Sequence, residues 1–274
     1  MSVTTFAAAQ LIRALPRVRI SRAVGNLCEA PLPGAVSRLV ERAYCAAYRV
    51  NLEEAAPEPG PYVSFDAFFT RRLRPGARPI DDAAIVSPSD GRLSCHGPID
   101  PGARIFVKGQ AYDVGELAGD GRDAARYRGG HFAVVYLAPS DYHRVHSPVD
   151  GEISLIRGIP GDLYPVNSIG ERHIPRLFAR NNRVNICIDT PDMGRVSVIM
   201  VGATIVGRIS VSMIPQPAVP PGETRLESPY RVERGDEIGI FHLGSTVVML
   251  LEPGVTLSRE PGVVRYGQSL LKSP

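Results

Sequence analysis

The sequence predicts an α+β fold, with N-terminal amphipathic helices on a β-rich, mostly antiparallel domain. Three observations point there. The first fifty residues carry apolar side chains at helical spacing. From Ile80 onward, short β-branched and aromatic runs alternate with turns. Glycine and proline are both abundant, at 27 and 25 of 274 residues, which favours short strands and turns over long helices. A chain of this length can bury a sizeable core, as one large domain or two small ones. Its charged fraction of 22% is ordinary for an ordered protein.

Phe6, Leu11, Ile12 and Leu15 recur at helical spacing, and Pro16 ends or kinks that segment. A second helix follows Pro31-Leu32-Pro33-Gly34. Its stripe is Val36, Leu39, Val40, Ala43, Ala47 and Val50, with Arg38, Arg42 and Arg49 mostly off it. Such a helix either packs on the protein's own core or lies on an anionic bilayer, where each arginine contributes about 1 kcal/mol. Residues 1–50 hold seven arginines against Glu29 and Glu41, a net +5 in a chain of net +3. This asymmetry suggests an anionic partner for the segment.

Residues 55–62 read as a stiff, proline-rich linker, dividing a helical segment (1–62) from a β-rich domain (63–274). Ser64 caps a short helix running into Arg71, Arg72 and Arg74. Its Phe65, Phe68 and Phe69 are expected to pack in the core beneath a solvated arginine face. Strands are expected over 131–137, 184–188, 195–201 and 204–211, and a proline-rich loop over 215–222. Two further apolar runs, 238–243 and 247–251, flank Gly244-Ser245-Thr246, which places a serine at a strand joint. Cys28, Cys45, Cys95 and Cys187 are widely spaced with no CxxC pair, as suits a reducing compartment. Neither a signal peptide nor a membrane-spanning run is expected.

Three places concentrate reactive groups. Asp90-Gly91 reads as a turn. Tyr142-His143-Arg144-Val145-His146 lies between Pro139 and Pro148, which favour an extended segment with the two histidines on opposite sides. That arrangement argues against a two-histidine metal site and gives His143 and His146 different jobs. At the third place, glycine before Ser245 leaves the adjacent peptide bond unshielded by a Cβ.

These three segments, in this order, resemble phosphatidylserine decarboxylase. The resemblance extends through 106–112, 177–184, 201–207 and 234–241, and departs at Arg234-Gly235, where lysine-glycine is expected. It implies a self-cleaving proenzyme with Ser245 as nucleophile, His146 as its general base and Asp90 orienting the imidazole. The cut after Gly244 would leave a β chain of residues 1–244 and an α chain of 245–274, paired as a heterodimer or a dimer of these. Ser245 would become a covalent pyruvoyl group, the Schiff-base site for phosphatidylserine, with no metal and no pyridoxal phosphate. His143, on the opposite side from His146, is expected to serve decarboxylation as proton donor or substrate-orienting group, and Arg144 is a candidate for the lipid phosphate. The substrate places the protein peripherally on the cytoplasmic face of an anionic membrane, with no nucleic-acid partner. The competing readings are a Ser-His-Asp hydrolase without self-processing, which lacks a GxSxG elbow around Ser245, and a β-rich carrier or lipid-binding module. A pyruvoyl decarboxylase with a soluble substrate would leave the basic start unexplained.

Overall fold

A computed structural model describes residues 17–166, 168–204 and 208–271. The helix expected around Phe6–Leu15 lies outside them, as does the middle of the strand expected over 204–211. Two helices open the described chain, α1 (Arg17–Glu29) and α2 (Gly34–Tyr48). Helix α2 turns a small and polar face inward. Ser37 is buried and donates its hydroxyl to Tyr62 O at 2.7 Å, while Tyr44 packs against Phe65 and Phe68. The expected stripe points outward, with Val36 43% and Leu39 68% exposed and Ala43 and Ala47 open to solvent.

Residues 54–56 are stitched to the chain beyond the linker. Ala55 bridges Leu73, Ala56 N donates to Arg72 O, and Arg78 pairs with Glu54. Helix α3 (Phe65–Phe69) begins at the Ser64 cap, whose hydroxyl accepts from Ala67 N. Phe68 and Phe69 are buried, as expected, whereas Arg71 is buried rather than solvated. Its guanidinium lies over the Phe68 ring and reaches Ser140 O.

The strands are β1 (Gly91–Pro98), β2 (Arg104–Val107), β3 (Gln110–Asp113), β4 (His131–Leu137), β5 (Arg144–His146), β6 (Gly151–Ile159), β7 (Arg183–Thr190), β8 (Gly194–Gly202), β9 (Arg208–Val211), β10 (Gly222–Val232), β11 (Glu237–His242), β12 (Ser245–Leu251) and β13 (Gly262–Val264). Short helices α4 (Val114–Ala118), α5 (Ser168–His173) and α6 (Leu177–Arg180) and a 3-10 turn (Asp123–Tyr127) lie between them. Eight strands form one antiparallel sheet in the order β10-β6-β7-β8-β12-β4-β1-β13, and β5-β11-β9 form a second.

β12 is buried from Val247 to Leu251 on both faces, which requires cover on each side of the sheet. On one face α4 and the 3-10 turn supply it. Leu117 O and Ala118 O accept from Arg183 and Asn185, and Tyr127 bonds Ser197 at 2.8 Å. The small sheet covers the other, Val247, face. Gly239 of β11 comes so close to Met200 that a Cβ would sit 2.7 Å from its sulfur. That approach needs glycine.

Candidate active site

The register of the large sheet gathers the candidate residues at one end. Ser245 opens β12 opposite Leu137, the last residue of β4, and opposite Gly202, the last residue of β8. Asp90 stands just before β1, the next strand beyond β4. Gly91, at φ +145°, lies where any Cβ would overlap the Tyr136 carbonyl oxygen, so the Asp-Gly step also serves a close approach of strands. After Leu137 a turn closed by Asp141 on Ala138 leads to His143 and β5.

His143 is fully buried and lies 4.0 Å from the Phe69 ring. Its Nδ1–H donates to Asp141 O at 2.8 Å, leaving Nε2 buried with no partner. Burial, aided by the Arg71 charge and opposed by the Asp141 carbonyl, pushes its pKa down to about 3. The ring is therefore neutral at physiological pH, with a lone pair on Nε2. His143 O accepts from Phe241 N at 3.0 Å, which sets His143 beside the end of β11.

His146 lies farther back, opposite Glu237. It is stacked on Tyr266 at 3.8 Å and an interplanar angle of 3°. Its Nδ1–H donates to Gly235 O at 2.7 Å, and Nε2 accepts from the Tyr142 hydroxyl at 3.3 Å. Burial lowers its pKa against the Gly235 hydrogen bond and the charges of Glu237 and Asp90. The two histidines thus have separate surroundings: Phe69 for one, Tyr142 and Tyr266 for the other.

Asp90 is buried and makes no hydrogen bond to His146; the Gly235 carbonyl holds the imidazole Nδ1 instead. The Asp90 carboxylate takes Arg78 Nη2 at 2.6 Å and Tyr266 N at 3.0 Å. It acts on His146 by charge and through the Tyr266 ring that it anchors. Arg144 donates to Glu237 at 2.7 Å and to Thr70 O at 2.8 Å, so its guanidinium already has partners. Among the described residues no cluster of three metal-ligating side chains occurs, and no helix is long and apolar enough to cross a membrane.

Sequence reasoning missed the residues that frame this end of the sheet: Arg78, Tyr266, and the set of Asp66, Ser210 and His242. His242 Nδ1 meets Asp66 at 2.9 Å and Arg208 Nη2 at 2.8 Å, and His242 Nε2 lies 3.0 Å from Ser210 Oγ. None of them sits in a motif. Leu243, between His242 and Gly244, has φ +85°, a left-handed conformation that costs a leucine roughly 1–2 kcal/mol.

An α+β protein with candidate reactive residues toward one end of its large sheet, beside a glycine-serine strand joint, is the class that fold and site define. The family description "Phosphatidylserine decarboxylase" matches residues 65–272. The phosphatidylserine decarboxylase proenzyme of Anaeromyxobacter sp. (strain K) is 40% identical over 271 residues, covering 94% of this chain and 95% of that protein. The proenzymes of Shewanella loihica (strain ATCC BAA-1088 / PV-4) and Shewanella baltica (strain OS155 / ATCC BAA-1091) are 40% and 41% identical. They cover 94% and 93% of this chain, and 96% and 92% of their own lengths. The chain belongs to the phosphatidylserine decarboxylase family, a family of carboxy-lyases.

Proposed function

We propose that this protein decarboxylates phosphatidylserine to phosphatidylethanolamine after cutting its own chain between Gly244 and Ser245. The observation that carries this reading is the placement of the Gly244-Ser245 bond. A left-handed Leu243 precedes it, and the β12 ladder fixes the Ser245 backbone from both sides. In the cut, Ser245 Oγ attacks the Gly244 carbonyl carbon, and His146 takes the hydroxyl proton through Nε2. Asp90 favours the imidazolium that results. The C–N bond breaks, the freed nitrogen takes up the proton, and Gly244 is left as an ester on Ser245. Loss of the Ser245 α-proton expels Gly244 as a carboxylate. Water then replaces the residue's nitrogen, released as ammonia, to leave a pyruvoyl group.

The residues fit such a group. The buried, unpartnered Nε2 of His143 at this end of the sheet is a polar atom awaiting a partner. The pyruvoyl carbonyl would supply an electron sink for the departing carboxyl electrons. The chain's part is to exclude water with Phe69 and the two covering layers, and to hold a proton site at His143 Nε2 for the carbon that loses carbon dioxide. Arg144 would reach a lipid phosphate only by giving up Glu237. The outward stripe of α2, flanked by exposed Arg38 and Arg42, suits an anionic bilayer, and the protein would act there peripherally, on the cytoplasmic face. The cut pieces 1–244 and 245–274 would stay paired.

One observation favours a second reading of the base. His143, not His146, borders the end of β11, and its Nε2 is free to accept. Here His143 would take the Ser245 proton itself.

The test of the function is carbon dioxide release from phosphatidylserine vesicles by wild type and Ser245→Ala. Wild type should turn over, and Ser245→Ala should remain one uncut chain without activity. Turnover by an uncut Ser245→Ala protein would refute the reading.

A further inference from the structure

A cavity of about 280 Å³ lies against the segment leading to the strand joint, lined by Cys28 and Glu29 of α1, Asp66 of α3, Arg208 of β9, and His242 and Leu243. Its lining residues Asp66, Arg208 and His242 join Ser210 in one cluster of polar contacts. His242 Nδ1 meets the Asp66 carboxylate at 2.9 Å and Arg208 Nη2 at 2.8 Å, and Nε2 lies 3.0 Å from Ser210 Oγ, so the ring is held at both nitrogens. Arg208 Nη2 stands 3.3 Å from Asp66 and 3.1 Å from Glu29. His242 is thus tied to α3 through Asp66, to β9 through Ser210 and, by way of Arg208, to α1.

The next residue is Leu243 at φ +85°, 8% exposed. Two residues on, Ser245 is held by the β4 and β8 ladders. A non-glycine residue stays in the left-handed region only when its surroundings over-determine it. Here the chain is gripped on both sides of a two-residue step, by the His242 cluster before it and the β12 ladder after it. Freed at one end, Leu243 would return to negative φ, and the carbonyl of Gly244 would turn with it.

We propose that Asp66, His242 and Ser210 form a clamp that holds Leu243 left-handed and so aims the Gly244 carbonyl for attack. His242 and Asp66 are positioning residues of chain cleavage, acting through the backbone rather than by carrying the serine proton. The inference rests on the proposed self-cleavage and assigns its geometric control.

The test follows cleavage of the purified full-length chain on denaturing gels, in wild type, His242→Ala, His242→Asn, Leu243→Gly and the double variant His242→Ala/Leu243→Gly. His242→Ala should lengthen the half-time at least tenfold. His242→Asn keeps a donor for Asp66 and should recover most of the lost rate, which a proton-carrying role does not allow. The double variant His242→Ala/Leu243→Gly should recover most of the rate lost by His242→Ala, and Leu243→Gly alone, which takes positive φ at no steric cost, should cut at least as fast as wild type. Leu243→Gly is read against wild type alone, so it decides the matter even if His242→Ala fails to fold. Hydroxylamine, whose nitrogen attacks an ester carbonyl to give a Gly244 hydroxamate and a free Ser245, separates the two chemical stages. The slow variants should remain slow in its presence, because the clamp acts before the ester forms. A Leu243→Gly variant tenfold slower than wild type, no recovery in the double variant, an Asn variant as slow as Ala, or full rescue by hydroxylamine would overturn the clamp. A wild-type chain that never cuts would instead remove the reading on which it rests.

Discussion

His143 and His146 stand three residues apart, yet their surroundings give them unlike chemistry. Both are neutral through burial, both donate Nδ1–H to a backbone carbonyl, and both keep Nε2 as an acceptor. The Nε2 of His146 has the Tyr142 hydroxyl, whereas that of His143 has no partner. The proposed division of labour follows from this. His143→Ala should cut at the wild-type rate and lose about 10²–10⁴-fold in decarboxylation, the usual share of a general acid or base. His146→Ala should stay uncut. The opposite pattern, an uncut His143→Ala and a normally cut His146→Ala, moves the base to His143. The two histidines, Asp90 and Ser245 were legible because each sits in a short segment whose residue types carry chemistry. Their partners were not. Tyr266 meets Asp90, and His242 meets Asp66, across 176 residues of chain, and nothing local to either residue marks such a meeting.

Among the elements, β12 and β8 could be read from their apolar runs because both faces of the sheet are covered there. β6 and β10 could not. A register shift between Ile153 and Leu155 breaks the alternation of β6. β10 is an edge strand, mostly exposed, with Pro229 inside it, as edges tolerate. The apolar stripe of α2 was visible, but which way it faced was not. Ser37 decides it, because its buried hydroxyl lies 2.7 Å from both Tyr62 O and Glu41 Oε1 and turns that side of the helix inward. An outward Leu39 that enters a bilayer contributes roughly 1.5–3 kcal/mol. Leu39→Glu should therefore weaken binding to anionic vesicles on the order of ten- to a hundredfold in a co-sedimentation assay. Raising the salt should weaken wild-type binding as the arginines are screened. Unchanged binding by Leu39→Glu would remove α2 from the membrane contact.

At the scale of the whole molecule, the last thirty residues are woven into the centre of the fold. All seven residues of β12 pair with both β4 and β8, and β13 closes the sheet against β1. A chain cut before Ser245 would have to unzip two ladders to release the fragment, so scission and integrity of the fold are compatible. The helical segment is tied in as well, through Glu54 to Arg78 and Glu29 to Arg208, which places the basic surface and the strand joint in one body. That arrangement suits a protein whose substrate lies in a membrane and whose reactive group must be sheltered from water. The measurement that tests the account most directly is the intact mass of the purified, active protein under denaturing conditions. The account predicts two chains, residues 1–244 and 245–274, the smaller with no free N-terminal amine. A single uncut chain of 274 residues in a preparation that decarboxylates phosphatidylserine would contradict it.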